Sequence, residues 1–248
     1  MPRLLFLLGR EPEISLSEIE AVLSADAVRY ELLPTPGPYI RIETDHVLDP
    51  SSLMRRLGGT RSIGVVILRE GDLTGTIMRH LRAHQPQKKI LFSLHGDGGT
   101  ELARGVKKAL RREGLSARYI EPKNTATILH NNLVALRGDL TLISGEVYAT
   151  AAIQPIEEFS RRDFGRPGRD AKSGMLPPKL ARILVNLSGV PETAALLDPF
   201  CGSGTILMEA ALLGLTQLIG SDVSARAIAD TKKNLAWLHT ADPKTAAT

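Results

Sequence analysis

The 248-residue chain contains a single cysteine, Cys201. One thiol forms no intrachain disulfide, and no group of Cys and His residues has metal-ligand spacing, so no metal site is expected. His80, His84 and His95 are close only along the chain and read as ordinary surface or loop residues. Aromatic residues make up 4%, so the cores must rest on Leu, Ile, Val and Ala. No apolar run reaches the length of a membrane span. The N-terminus enters a strand pattern at once, without the regions of a signal peptide. A cytoplasmic protein with no membrane partner is the expectation. A P-loop is also absent, because no Gly-Lys-Ser/Thr occurs at its required spacing.

What is present suits ordinary globular cores: 43% hydrophobic and 23% charged residues. The length allows two or three small domains. A net charge of +4 is a mild excess, compatible with an anionic partner. Residues 3–8 read as a buried strand. Ser15 is placed to cap a helix, with Glu18 completing a capping box and Ile14 and Ile19 a hydrophobic staple. Leu16, Ile19 and Leu23 form one apolar stripe. Residues 39–44 alternate like a half-buried strand. Further strands read at 62–69, 89–94, 117–120, 140–144 and 146–152. Helices read at 72–83, 100–113 and from Asn124 to about residue 135. The alternation lacks long βαβ regularity, which predicts α+β packing in this half.

Residues 155–176 change character. Gly165, Pro167, Gly168 and Gly174 stand among Arg161, Arg162, Arg166, Arg169 and Lys172, which reads as a basic linker. A helix begins near Pro177. Strands at 193–198 and 217–222 then alternate with helices at 204–213 and 225–238, the opening of a doubly wound sheet.

The stretch Asp198-Pro-Phe-Cys-Gly-Ser-Gly-Thr205 joins a strand to a helix. Gly202 and Gly204 let the backbone turn sharply and approach a ligand. The helix points its free N–H groups at that ligand. Asp222 follows Gly202 by 20 residues, where a carboxylate can accept from two ribose hydroxyls. A dinucleotide fingerprint needs a third glycine at 207, which is Leu207. Asp198, opening the loop, would repel a pyrophosphate. It suits instead a ligand with an ammonium, whose carboxylate the helix N-terminus favours. S-adenosylmethionine (SAM) has both. A tight strand–helix turn with a chance acid downstream is the plainer alternative, and motif and context together weigh against it. Cys201 reads as a nucleophile or a small buried filler; no His pairs with it in sequence, which favours the filler.

The helix over 100–113 displays Arg104, Lys107, Lys108, Arg111 and Arg112. Positions 104, 108, 111 and 112 share one face, and Leu102, Val106 and Leu110 lie on another. Basic groups near phosphates release counterions and bind nucleic acid; a solvated face is the alternative. The linker residues Arg161, Arg162, Arg166 and Arg169 favour RNA, because a basic segment beside a SAM site is where substrate must pass. The Gly96–Gly99 turn reads as an anion nest or a plain strand–helix turn.

The wording of the 198–205 loop resembles the first motif of amino-group methyltransferases acting on nucleic acid. The run 169–180 (RDAKSGMLPPKL), with Asn186 in ILVNL, is similar to the segment before the catalytic core of tRNA guanine-N2 methyltransferases that carry a THUMP domain. Residues 91–170 resemble THUMP and its exit linker, and the opening FLLGREPEISLSEIEAVL resembles that family's N-terminal ferredoxin-like unit. The resemblance implies an α+β N-terminal half followed by the start of an α/β Rossmann-like methyltransferase domain. Its parts would be a ferredoxin-like unit (1–58), a THUMP RNA-binding domain (59–154), the basic linker (155–176) and an incomplete methyltransferase domain (177–248). It implies Asp198, Cys201, Gly202, Gly204 and Asp222 as SAM contacts, with Phe200 and Thr205 in the same loop. It also implies that THUMP holds the tRNA acceptor end while the other domain methylates the exocyclic N2 amine of a guanine. A ribosomal RNA or DNA amino-methyltransferase, or a non-catalytic THUMP RNA-binding protein, are the other readings.

Such enzymes orient the amine with an Asn/Asp-Pro-Pro-aromatic loop and flip the base out of its stack. The one Pro-Pro pair, Pro177-Pro178, precedes the SAM loop, and Asp242-Pro243 is followed by Lys244. No catalytic residue is therefore identified. Two parallel strands leave an apolar edge open, so the chain reads as the front part of a longer protein, inactive alone, or as one whose sheet a second chain completes.

Overall fold

The computed structural model describes residues 1–87, 89–96, 98–169 and 174–241. Asp97 of the Gly96–Gly99 turn, Lys172 of the basic segment and Asp242-Pro243 lie outside them. In chain order the elements are β1 (Arg3–Leu8), α1 (Pro12–Ala25), β2 (Tyr30–Leu33), β3 (Tyr39–Thr44), α2 (Pro50–Arg56), β4 (Thr60–Leu68), α3 (Leu73–His84), β5 (Lys89–Gly96), α4 (Gly99–Arg112), β6 (Ser116–Tyr119), α5 (Thr125–His130), β7 (Asp139–Ile143) and β8 (Glu146–Ile153). There follow α6 (Ile156–Phe164), α7 (Pro178–Leu187), β9 (Ala195–Asp198), α8 (Thr205–Leu212), β10 (Gln217–Gly220) and α9 (Ala225–Ala241). No described helix is long and apolar enough to cross a membrane.

Two compact units result. The first comprises Met1–Gly9, Arg29–Met54 and Thr60–Ile153; the second comprises Arg10–Val28, Arg55–Gly59 and Gln154–Thr248. In the first, eight strands form one sheet in the order β2-β3-β1-β4-β8-β7-β5-β6. The strands from β2 to β7 pair antiparallel with their neighbours, while β5 runs parallel to both β7 and β6. β1 is an interior strand, and its continuous apolar run suits burial on both faces: Leu4, Leu5, Phe6 and Leu8 are all buried. The core beside β5 joins Ile90, Phe92 and Leu94 to Ile77, Met78 and Leu81 of α3 and to Ala103, Val106 and Leu110 of α4. α3 starts where Asp72 accepts from the Gly75 N–H, and α5 where Asn124 accepts from the Thr127 N–H, both ordinary N-caps.

One carboxylate ties three strands of this sheet. Asp139, at the start of β7, accepts from Ser93 Oγ and His95 Nε2 of β5 at 2.5 and 2.8 Å, and from Thr150 Oγ1 of β8 at 2.7 Å. Burial alone would raise this carboxyl, but the His95 imidazole and the two hydroxyls outweigh it and hold it below the usual range.

The second unit corrects the expected helix start. α1 begins at Pro12, the ring suiting a first-turn position, so Ser15 lies inside the helix and caps nothing. Its hydroxyl donates to the carbonyls of Glu11 and Gly59, and Ile14 is exposed rather than stapled. Glu18 caps a different piece of backbone. Its two carboxylate oxygens accept the N–H groups of Gly58 and Gly59, each at 2.8 Å. Asn186 of α7 donates to the same carboxylate at 2.7 Å and to the Arg56 carbonyl at 2.9 Å. A Cβ at Gly58 would stand 2.3 Å from the Lys179 carbonyl oxygen, so only glycine admits this approach. The segment read as a linker holds a helix, α6, because Phe159 and Arg162 share its buried face.

β9 and β10 form a separate parallel pair with Gly220 opposite Asp198. Leu196 and Leu218 pack against Val185, Ala210 and Leu215, while Leu197 and Ile219, on the alternate face, are exposed.

Because the Asp139 carboxyl is depressed in the folded state, its stabilisation is complete above the ordinary carboxyl range. It is lost as pH falls through the folded value. Denaturant titrations between pH 6 and pH 2 should show this loss. Asp139→Asn should flatten that dependence and lower stability at pH 6 by about 1–3 kcal/mol, since donors are left poorly matched. An unchanged acid limb would refute the assignment.

Candidate cofactor site and basic helix face

The loop between β9 and α8 is built by close backbone approaches. β9 delivers Asp198, whose Oδ1 accepts from the Phe200 N–H at 3.1 Å. The Cys201 N–H donates to the Ser221 carbonyl and the Ser221 N–H to the Asp198 carbonyl, each at 2.9 Å. These bonds extend the β9–β10 pairing past its last residues. Gly202 and Gly204 both have positive φ, +53° and +81°, the region glycine enters without steric cost. Gly204 is the N-cap of α8, and a Cβ there would stand 2.8 Å from Thr231 Cγ2 of α9.

Asp222 is central to this turn. Its Oδ2 accepts the Gly202 N–H at 3.0 Å and its Oδ1 the Ser224 N–H at 2.9 Å. Each oxygen thus retains a lone pair for a further donor. From α9, Thr231 Oγ1 donates to the Gly202 carbonyl at 2.8 Å. Asn234 donates at 2.8 Å to the carbonyls of Ser203 and Gly168, and accepts the Gly168 N–H at 2.8 Å.

A cavity of about 220 Å³ opens at the loop, lined by Gly174, Met175, Asp198, Phe200, Cys201 and Thr205 among others. Asp198 is 8% exposed and Phe200 is 84% exposed. Cys201 is buried, and burial, with Asp198 and Asp222 nearby, pushes its thiol up despite the Thr231 hydroxyl. A protonated, buried thiol is no nucleophile. A Cβ at Gly220 would meet its sulfur at 3.2 Å, so Cys201 fills space under the loop.

α8 is held from below by charge. Glu209, on its second turn, is fully buried. Its carboxylate takes Arg162 Nε from α6 and Arg182 Nη2 from α7, each at 2.6 Å. Arg162, Arg182 and Lys179 also surround the Phe159 ring, at 4.6, 5.0 and 5.7 Å from its centroid. Burial pulls the Arg182 guanidinium down, and Glu209 counters it.

The structure therefore brings Asp198, Phe200, Cys201, Gly202, Gly204, Thr205 and Asp222 around one strand–helix turn. It separates the expected RNA-facing arginines into two kinds. Arg162 and Arg166 are buried, the first on Glu209 and the second on Thr205 Oγ1 at 2.6 Å. They are corrected to internal residues: a guanidinium buried in the interior presents nothing to a phosphate on the surface. Arg161 and Arg169 are exposed, with Arg169 5.5 Å from the Phe164 ring centroid. On α4, Arg104, Lys108, Arg111 and Arg112 are exposed and Lys107 half-buried, while Ala103, Val106 and Leu110 face the core. Gly96 is explained by packing, since a Cβ would stand 1.8 Å from the Leu142 carbonyl.

Sequence reading missed Glu209, Thr231 and Asn234. A signal existed for the last two: with the buried Leu238 they fall at i, i+3 and i+7 on one face of α9. Polar residues on a buried stripe point to backbone partners.

Residues 166–245 match the family model of UPF0020, described as RMKL-like, methyltransferase domain. The chain is 39% identical over 108 residues to a tRNA (guanine(10)-N2)-dimethyltransferase of Methanothermobacter thermautotrophicus. That match covers 44% of this chain and 28% of the relative. It is 50% identical over 62 residues to the protein of the same description from Methanocaldococcus jannaschii, covering 25% of this chain and 17% of that one. The matches thus span less than a third of the relatives' length. Among solved structures, TrmN from Thermus thermophilus superposes with a TM-score of 0.50 at 17% identity, covering 95% of this chain and 70% of that one. At that identity the likeness is one of fold, a mixed α/β architecture with a large sheet.

Removing Glu209 would strand two buried guanidinium groups. Glu209→Ala should cost about 3–5 kcal/mol in a denaturant melt, as when one partner of a buried pair is deleted. A loss under about 1 kcal/mol, the scale of an exposed pair, would show that the triad does not hold α8.

Proposed function

We infer that this chain belongs to the tRNA guanine-N2 methyltransferases and that its second unit binds SAM as methyl donor. The observation that carries this reading is the β9–α8 turn. Two positive-φ glycines, a helix N-terminus and two carboxylates converge there, inside the stretch that matches a methyltransferase family.

The donor set fits SAM group by group. Asp198, nearly buried at the cavity wall, is placed for the ammonium of the amino-acid end. Asp222 keeps one lone pair on each oxygen for the two ribose hydroxyls, while its bonds to Gly202 and Ser224 hold it in place. Phe200, exposed beside the cavity, offers a flat apolar face to a base. Cys201, Gly202, Gly204 and Thr205 shape the turn and supply backbone approach. When bound, SAM supplies an electrophilic methyl group on its sulfonium. The protein's part in what is described here is binding and orientation. Pro177-Pro178 starts α7, so it is not the loop that would orient an amine, and no catalytic residue is assigned.

The substrate reading is tRNA, methylated at a guanine N2 amine, as the relatives' descriptions suggest. In the first unit, the antiparallel order β2-β3-β1-β4 supports a ferredoxin-like part; along the chain, α1 joins β1 to β2 and α2 joins β3 to β4. Strands β5 to β8 with α3 to α5 support a THUMP part. Its RNA surface would be the exposed face of α4, Arg104, Lys108, Arg111 and Arg112 with the tip of Lys107; in the second unit, the exposed Arg161 and Arg169 are separate candidates for phosphate contacts. Among the described residues the α4 cations have no ion pair, so they are available to phosphates. A cytoplasmic location follows from a tRNA substrate. The exposed Leu197 and Ile219 face supports the reading that another polypeptide segment, or a second chain, completes the small sheet.

Three measurements test this. Calorimetric titration with SAM should show binding that Asp222→Ala weakens by about tenfold or more, the worth of one charge-assisted bond; an unchanged affinity would remove Asp222 from the site. Labelled SAM offered with bulk tRNA to a form extended downstream to include an amine-orienting Pro-Pro loop should leave label as N2-methylguanine; label in ribosomal RNA or DNA instead would replace the substrate reading. Lys108→Glu combined with Arg111→Glu should weaken tRNA binding and make the plot of log affinity against log salt shallower by roughly 1–2 units. An identical slope would leave α4 a solvated face.

A further inference from the structure

Arg166 lies between the end of α6 and the cofactor turn. The residue is 2% exposed. Its Nη1 donates to Thr205 Oγ1 at 2.6 Å and its Nη2 to the Met175 sulfur at 3.3 Å. Among the described residues Nε has no hydrogen-bond partner. Among the described residues no carboxylate lies within ion-pair distance of it. The neighbouring buried guanidiniums, Arg162 and Arg182, share Glu209; among the described residues Arg166 has no such partner. Burial pulls its pKa down, and Asp163 and Glu209, too far away to bond it, offset this only in part.

Its placement is enforced. Both backbone groups of Gly168 are bonded to the Asn234 amide, which also holds the Ser203 carbonyl of the cofactor turn. A Cβ at Gly168 would stand 2.7 Å from Asp230 Cβ, so the backbone two residues after Arg166 runs tight against α9. The guanidinium is thereby delivered to Thr205 and Met175, and both line the 220 Å³ cavity. Thr205 is the first residue of α8, where free N–H groups also favour negative charge. A thioether is a weak acceptor on a flexible stem, so a stronger acceptor would displace it.

The ligand group that fits is a carboxylate. It matches a guanidinium fork in two parallel bonds. A phosphate dianion is disfavoured because Asp198 lines the same cavity, whereas Asp198 would welcome an ammonium. Carboxylate and ammonium on one carbon are an α-amino acid.

We propose that Arg166 is the counter-ion for the α-carboxylate of the amino-acid end of SAM, an inference that rests on the SAM reading above. It makes Arg166 a binding residue beyond the glycine turn and Asp222. It also gives the segment before α7, read from sequence as a linker, a direct part in the cofactor site.

The test is calorimetry with SAM, decarboxylated SAM and 5′-methylthioadenosine, which lacks the amino-acid end. The unmodified chain should bind SAM about 10- to 100-fold more tightly than decarboxylated SAM. Arg166→Met should lose about that factor for SAM while changing 5′-methylthioadenosine by less than about twofold, and Arg166→Lys should fall between. Equal loss for both ligands would make Arg166 merely structural, and no loss for SAM would overturn the proposal while the SAM reading stands. Should Arg166→Met fail to fold, the unmodified chain decides: equal affinity for SAM and its decarboxylated form overturns the proposal. Binding of none of the three compounds would overturn the SAM reading itself and the proposal with it.

Discussion

The Glu209 carboxylate, gripped by Arg162 and Arg182, is the interaction on which the second unit turns. It joins α6, α7 and α8 at one buried point, and α8 is the helix whose N-terminus borders the cofactor cavity. Two guanidiniums against one carboxylate leave an excess of positive charge in the interior, partly relieved by the face of Phe159. Such an arrangement is weak evidence for net stability, because desolvation opposes the attraction. It does specify geometry, since a planar fork on a carboxylate tolerates little displacement. α8 therefore cannot rotate without breaking charged bonds in a dry environment.

Above that anchor, the turn is shaped by steric exclusion. Thr231 touches the space a Gly204 side chain would occupy, and Leu207 with Cys201 fills the space beside Gly220. Asp222 converts one backbone N–H of the turn into a fixed point, and Asn234 performs the same service for the exit segment through Gly168. The consequence is a cofactor site whose backbone is preorganised by side chains of α9 and of the loop after β10. Asp198 lines the cavity at this turn, and Arg166 is buried behind two of its lining residues, Thr205 and Met175.

The first unit follows a different logic. Its eight-stranded sheet depends on apolar runs buried on both faces, and Asp139 ties β5, β7 and β8 through three donors. α4 packs Ala103, Val106 and Leu110 inward and leaves Arg104, Lys108, Arg111 and Arg112 exposed, without an ion pair among the described residues. A helix of this kind has no internal use for its charges, which is why the charged face reads as a surface for an anionic polymer.

By itself the sequence determined the elements with strong local signals. Alternation and apolar runs located the strands, Asp72 and Asn124 lie where their helices start, and the spacing of Asp198, Gly202, Gly204 and Asp222 located a strand–helix turn, because that spacing is a local property of a strand–turn–helix. Glu18 was legible as a capping carboxylate but not as the cap of Gly58-Gly59, 40 residues away, because a carboxylate accepts any N–H that folding brings near. The same holds for the arginines after residue 155. In sequence they form one basic run, and only tertiary packing decides that Arg162 and Arg166 turn inward while Arg161 and Arg169 stay out. A guanidinium carries the same charge in either place. Whether it meets phosphate, Glu209 or a cofactor carboxylate depends on what lies against it, and residues distant in the chain supply that.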